Sequence, residues 1–295
     1  MSVQFCTIYS FTFVSYKNIM SNNLYIDLLK KVLIDYHRME MGETPALKRN
    51  KGHKPRYMLL YLLERILKKS AFTIREKIPL NKEDRLMGRD WPAYADSMMG
   101  LKRMDNIEFC VNDTIKNNIP GDLIETGVWR GGGVIFMKAL LKVAGVTDKV
   151  VWAADSFEGL PRPDEDKYEA DKGDDHYTFS NILAISEKQV RYNFEKYGLL
   201  DDKVKFLKGW FKDTLPTAPI EKLSILRLDG DMYESTINAL DTLYPKLSRG
   251  GYLIIDDFGV VSGCKLAVMD YRKKHNITEE IITIDEAGVY WKREN

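Results

Sequence analysis

Leu226-Arg227-Leu228-Asp229-Gly230-Asp231, read together with Gly251-Tyr252-Leu253-Ile254-Ile255-Asp256-Asp257, decides the fold. Each is an apolar run that ends abruptly in carboxylates. A continuous apolar run reads as a strand buried on both faces. Aspartate is rarely buried without a partner, so the acids mark where each strand leaves the core. If the two strands are parallel neighbours, Asp229, Asp231, Asp256 and Asp257 meet at one edge of a sheet. Carboxylates gathered in this way repel one another unless a cation sits among them. Hard oxygen ligands select magnesium, calcium or manganese over softer metals. The alternative is a set of solvated loop acids.

Upstream, Asp122-Leu123-Ile124-Glu125-Thr126-Gly127 reads as a short strand ending in an acid and a glycine. Arg130-Gly131-Gly132-Gly133 follows, then an apolar helix from Val134 to Val143, with Gly145 placed to stop it. Lys149 to Asp155 is a second buried strand that also ends in an acid. Strand, glycine-rich turn, helix, strand, acid is the form of a nucleotide-binding βαβ unit. The turn is not G-x-G-x-x-G, which disfavours a dinucleotide. Glu-x-Gly with a later Gly-Gly is closer to the methyltransferase version. There the glycines let the backbone approach the ligand, and Asp155 is placed to accept both ribose hydroxyls.

The connection from Ser156 to Thr178 is long and strongly acidic, with Asp164, Glu165, Asp166, Glu169, Asp171, Asp174 and Asp175. Such a loop in a compact domain is a lid or disordered. His176 lies in it, either as an exposed loop histidine or as a lid residue reaching the substrate. Ser186-Glu187-Lys188-Gln189 has the form of a capping box, opening a helix that ends at Gly198. A third strand runs from Lys203 to Phe211. Within it, Trp210 either lies against a flat base or packs in the core. Leu223 to Asp231 is the fourth strand, and a helix marked by Ile237, Leu240, Leu243 and Leu247 follows. The fifth strand comes next, then a helix from Ala267 to Lys274. A hairpin around Glu286-Ala287 closes the chain. The expected fold is α/β, a doubly wound Rossmann-like sheet with a C-terminal β-hairpin. Ligands in such sheets bind at the carboxyl ends of the strands, where every acid named above falls.

The N-terminal third reads as a helical cap. Leu24, Leu28, Leu29, Val32 and Tyr36 recur at helical spacing, as do Leu59, Leu63, Ile66 and Leu67. Ile107, Cys110, Val111 and Ile115 make a further amphipathic helix before Pro120-Gly121. The basic stretch 48–56 reads as a solvated loop, with a substrate phosphate or membrane surface as the alternative. Residues 1–20 read as an unstructured extension, translated from upstream of a start at Met20, or as a packed strand. The expected divisions are 1–20, a cap or lid over 21–118, and a catalytic domain over 119–295.

Composition bounds the function. The 295 residues carry 44 basic and 43 acidic side chains, so the net charge of +1 leaves no footprint for nucleic acid. Cys6, Cys110 and Cys264 are too few and too scattered for a disulfide framework or zinc cluster, which fits a reducing cytoplasm. The chain has no apolar run long enough to suggest a spanning helix.

The sequence resembles the macrocin O-methyltransferase family, the metal-dependent sugar methyltransferases of natural-product biosynthesis. The resemblance runs from about Gly88 to the C-terminus. It is carried by Gly88-Arg89-Asp90-Trp91-Pro92, Leu123 to Gly132, Ala154 to Pro161, Phe206 to Pro216, Leu226 to Ser235 and Ile254 to Asp257. Between Arg38 and Arg85 the chain departs from the pattern. The resemblance implies a class I methyltransferase using S-adenosylmethionine and Mg2+ (or Mn2+) to methylate a sugar hydroxyl of a small molecule or glycan. It implies Asp229, Asp256 and Asp257 as metal ligands and Asp231 as the general base. Glu125, Thr126, Gly127, Asp155 and Ser156 are assigned to the cofactor with Trp210, and the segment holding Met98 folds over it. A homo-oligomer is expected.

Asp231 stands two residues from Asp229, which on an extended segment puts both on one face. One can hold metal while the other takes the hydroxyl proton. Two rivals stand beside this reading. A non-catalytic cofactor-binding partner in glycan assembly would not need Asp231. A catechol-type methyltransferase would place a lysine where this chain has Asp-Gly-Asp.

Overall fold

The computed structural model describes residues 22–38, 62–63, 66–67 and 81–295. The expectations for residues 1–20, for the basic stretch 48–56 and for most of 57–69 fall outside them.

Five strands pair in parallel: β1 (Asp122–Thr126), β2 (Val151–Asp155), β3 (Val204–Lys208), β4 (Leu223–Leu228) and β5 (Leu247–Ile255). The hairpin strands β6 (Ile282–Thr283) and β7 (Val289–Lys292) complete one sheet of order β3-β2-β1-β4-β5-β7-β6, with β7 antiparallel to β5. The order reverses between β1 and β4, which opens a crevice at their carboxyl ends. Leu226 pairs with Leu253 and Leu228 with Ile255, so the two acid-tipped strands are parallel neighbours, as the sequence suggests.

Alternation along the strands splits the core into two layers. Leu123 and Ile225 pack with α1 (residues 22–33), α3 (Leu101–Lys116), α4 (Gly132–Val143) and α5 (Glu187–Lys196) through Leu29, Ile107, Phe136 and Phe194. Ile124 and Leu226 pack against α6 (Tyr233–Leu243) and α7 (Ser262–His275) through Leu240 and Val268. The short helix α2 (Lys82–Met87) leads into the segment that covers the crevice. Among the described residues no helix is long and apolar enough to cross a membrane.

Several boundaries differ from the sequence reading. β3 stops at Lys208 and β4 at Leu228, so Trp210, Asp229 and Asp231 lie in the turns beyond the strands. Leu247 belongs to β5 and not to α6, because Pro245 sits in the 3-10 turn Tyr244–Lys246 and ends the helix. α1 buries Ile26, Leu29, Lys30, Leu33 and Ile34, and leaves Leu24 and Leu28 68% and 61% exposed. Its buried stripe is therefore displaced around the helix from the one expected.

The acidic connection after β2 is neither a simple lid nor disordered. Asp171 within it is buried and accepts the backbone N–H groups of Tyr233 at 2.6 Å and Glu234 at 2.9 Å. The residue before α6, Met232, offers no capping side chain. Asp171 supplies the cap from a distant part of the chain and pins the connection to the sheet edge.

Candidate active site

A cavity of about 590 Å³ opens at the carboxyl ends of β1, β2 and β4. Glu125, Gly127, Asp155, Ser156, Met98, Trp210, Asp229, Asp231, Asp256 and Asp257 all line it. Thr126 does not. It is buried, and its hydroxyl turns toward the Arg227 carbonyl on β4, because successive strand side chains point to opposite faces. Its side chain therefore does not face the cavity in which the cofactor is expected.

The glycine turn serves the protein's own packing. Gly127 has φ +88°, and a Cβ there would overlap the Asp229 carbonyl. Gly132 already belongs to α4, and a Cβ on it would lie 2.5 Å from the Asp96 carbonyl oxygen. Its N–H donates to that oxygen at 2.8 Å. The covering segment is thus seated on the turn. Arg130 donates to the carbonyls of Ala93 and Ala95, and Arg85 to those of Met98 and Met99. The Asp96 carboxylate takes the Tyr197 hydroxyl at 2.6 Å and faces Lys196. These contacts place Met98 at the cavity wall.

Asp155 has a second task that its position in the sequence hides. Its Oδ2 accepts the Val128 N–H at 2.8 Å and its Oδ1 the Phe157 N–H at 2.6 Å. The Trp129 N–H and the Ser156 side chain also bond to this carboxylate, which is buried at the cavity wall. Ser156 donates to the Gly159 carbonyl at 2.7 Å. Trp210 is half-buried and belongs to neither core layer, which leaves its ring to the cavity wall.

The acid cluster is built around two arginines that the sequence reading passed over. Arg227, fully buried, donates to Glu125, Asp229 and Asp256. Arg103 on α3 donates to Asp256 and, at 3.1 Å, to Asp285 in the hairpin turn. The signal was in view: an arginine inside an apolar strand implies buried counter-charges. Arg103 left no such mark, since a helix places cations freely.

Two guanidiniums do not balance the carboxylates around them. Burial, with the neighbouring Asp256 charge, pushes Asp229 up to about 8. Burial raises Asp231 to about 6, against the pull of His176. Burial raises Glu125 to about 7, and burial with the charges of Asp231 and Asp229 drives Asp257 well above the carboxylate range. Burial acts on Asp256 too, but Arg103 and Arg227 outweigh it and hold it low. Among the described residues, Asp229, Asp256 and Asp257 bring carboxylate oxygens within 4.8 Å of one another. An all-oxygen donor set with uncompensated negative charge fits a hard divalent cation.

Asp231 does not share an extended face with Asp229. It takes a left-handed conformation, φ +59°, and donates its N–H to Asp257 Oδ2 at 3.2 Å. Its carboxylate makes no hydrogen bond among the described residues, unlike those of Asp229, Asp256 and Asp257. Trp129, in the turn after β1, also has positive φ and lines the cavity.

His176 lines the cavity as well. Its Nδ1 lies 2.8 Å from Asp174 Oδ2. Burial acts against its charge, but the bond to Asp174 and the charges of Asp231, Asp174 and Asp175 outweigh that and raise its pKa.

A doubly wound sheet with its cavity at the switch point and a covering N-terminal segment is the fold of the class I Rossmann-like methyltransferases. Within that class, the chain belongs to the macrocin-O-methyltransferase (TylF) family, whose profile matches residues 22–293. It is 48% identical over 272 residues to demethyldecarbamoylnovobiocin O-methyltransferase of Streptomyces niveus, covering 92% of this chain and 94% of that one. It is 52% identical over 210 residues to a Streptomyces olivaceus 4'-O-methyltransferase of a rhamnosyl-tetracenomycin C, covering 71% and 80%. The solved O-methyltransferase NovP superposes with a TM-score of 0.79 at 46% identity, covering 93% of this chain and all of that one.

Proposed function

We propose that the protein is an S-adenosylmethionine-dependent O-methyltransferase that methylates a sugar hydroxyl, with a divalent metal at Asp229, Asp256 and Asp257 and with Asp231 as general base. The observation that carries this reading is the contrast among the four acids. Three have carboxylate oxygens engaged, and the fourth, Asp231, lines the same cavity with no hydrogen bond to its carboxylate among the described residues.

Bound S-adenosylmethionine supplies a methyl group on a sulfonium leaving group. Glu125, Gly127, Asp155, Ser156, Met98 and Trp210 line the space for it, and the Asp155 carboxylate at the end of β2 suits a ribose diol. A bound Mg2+ or Mn2+ supplies Lewis-acid polarisation of the acceptor oxygen and fixes its place. Arg227 and Arg103 hold Asp256 and Asp229 in position for that ion. Asp231 takes the hydroxyl proton as the oxygen attacks the methyl carbon, with S-adenosylhomocysteine as the leaving group. The covering segment 93–99 walls the cavity, and positioning contributes the rest.

The name of the Streptomyces olivaceus relative, a 4'-O-methyltransferase of a rhamnosyl compound, supports a sugar as acceptor. The test is a panel of demethyldecarbamoylnovobiocin, phenyl α-L-rhamnoside and a nucleotide-linked rhamnose, assayed with labelled S-adenosylmethionine and Mg2+. Transfer to a sugar oxygen is expected. Asp231→Asn should keep cofactor and metal binding and lower turnover by about two to four decades. Near wild-type turnover at saturating Mg2+ would end the general-base assignment, and label found only on aromatic hydroxyls would favour the catechol-type reading.

A further inference from the structure

The acidic connection between β2 and α5 is tied down on both sides of His176. Upstream, Asp171 caps α6, and the Cβ-free face of Gly263 leaves room for its carboxylate, since a Cβ there would lie 2.8 Å from Asp171 Oδ1. Downstream, the Trp129 indole donates to the Ile182 carbonyl at 3.0 Å, and Phe179 packs on Trp91 at 5.5 Å between ring centroids. His176 therefore sits on a braced span and not at a free loop tip.

Asp174 grips the residue twice. Its Oδ1 accepts the His176 N–H at 2.9 Å and its Oδ2 faces Nδ1 at 2.8 Å. A carboxylate only accepts, so Nδ1 carries the proton and the ring orientation is set. The Nε2 edge has no partner among the described residues, and the side chain is 36% exposed on the cavity wall that also holds Asp231. A histidine kept only to brace a loop would need no polar edge toward the cavity.

We propose that His176 binds the acceptor: its Nε2 hydrogen-bonds the sugar hydroxyl beside the one that Asp231 deprotonates. The inference rests on the sugar-methylation reading above. Hydroxyls on adjacent ring carbons lie within hydrogen-bond reach of each other, so two groups on one cavity wall can take a vicinal pair. Nε2 donates to the neighbouring oxygen when the ring is charged and accepts from it when neutral. The connection then selects acceptors that carry a free hydroxyl next to the methylation position.

The test uses whichever panel sugar the wild type methylates, together with its analogue deoxygenated at the neighbouring carbon. His176→Ala should raise the acceptor KM about tenfold to a hundredfold, the range for a hydrogen bond to a charged group. Affinity for S-adenosylhomocysteine should not move, and the unfolding midpoint should fall no further than in His176→Gln, which loses the same Asp174 bond. Glutamine places its amide nitrogen where Nε2 stands, and asparagine where Nδ1 stands. His176→Gln should therefore recover most of the lost KM, while His176→Asn, which keeps the Asp174 bond, should not. The wild type should disfavour the deoxy analogue by the same factor, and His176→Ala should not distinguish the pair. Recovery by asparagine and not by glutamine, or an unchanged KM in His176→Ala, overturns the inference while methylation of the sugar stands. A wild type that methylates no sugar overturns the methylation reading and this inference with it.

Discussion

Arg227 Nη1 donates to Asp229 Oδ2 at 2.7 Å, so the cation that steadies a candidate metal ligand comes from two residues earlier in the chain, at the end of β4. The same guanidinium reaches Glu125 on β1 and Asp256 at the end of β5. One buried side chain therefore ties three strand ends together behind the acid cluster. The prediction is that Arg227→Met loses about 3–5 kcal/mol of stability at neutral pH, because it strands buried carboxylates without their partner. Urea unfolding of the metal-free protein checks it. A loss below 1 kcal/mol would mean that the acids find other counter-charges.

The raised acids make metal-free stability depend on pH. Asp229, Glu125 and Asp231 are pushed up to about 8, 7 and 6. A carboxyl that titrates higher in the folded state than in the unfolded state binds more protons when folded. Its contribution is present at low pH and is lost as pH rises through the folded value. The Tm in chelator should therefore fall from pH 5 to pH 8. Asp256 works in the opposite sense, since its folded value is depressed, and its contribution is lost only as pH drops through that value. Added Mg2+ should flatten the fall by occupying the cluster. Scanning calorimetry showing the same Tm profile with and without Mg2+ would count against a metal at these acids.

Gly132→Ala should unseat the covering segment without breaking the sheet. The new methyl would press on the Asp96 carbonyl and the Ser97 side chain. Loss of S-adenosylhomocysteine affinity on calorimetry, with an unchanged far-UV spectrum, is the expected result. Wild-type affinity would show that residues 93–99 do not shape the cofactor space.

Asp171→Ala should destabilise the protein by about 1–2 kcal/mol, the usual value of a helix N-cap. Asp171→Asn should recover part of this, since its amide oxygen can still accept one N–H. The same two variants should leave Mg2+ binding intact, because Asp171 touches the helix and not the acid cluster. Equal stability of the alanine variant and the wild type would remove Asp171 as the α6 cap.

The layered α/β sheet was legible because its signals are local. Short, largely apolar runs such as Leu223 to Leu228 and Leu253 to Ile255 read as buried strands, and the acids after them as strand ends. Asp229, Asp256 and Asp257 could thus be brought together from the sequence, and Ser186 announced the start of α5 through its bond to the Gln189 N–H. The stripe on α1 was misjudged because Leu24 and Leu28 have the same apolar character as Ile26 and Leu29. Which of two adjacent stripes is buried depends on what packs against the helix.

The sequence alone determined the strand order of events along the chain, the family it resembles and the set of acids that converge at one sheet edge. Each of these follows from chemistry within a few residues of the motif. Only the tertiary structure decided what holds those acids. Arg103 reaches Asp256 from α3, 153 residues away in the chain. Asp171 caps α6 from 62 residues upstream of Tyr233. Asp231 leaves the strand in a left-handed turn, which frees its carboxylate while Asp257 holds its N–H. Charge pairing acts through space with no fixed spacing along the chain, so no periodicity records it, whereas burial of a strand is written residue by residue.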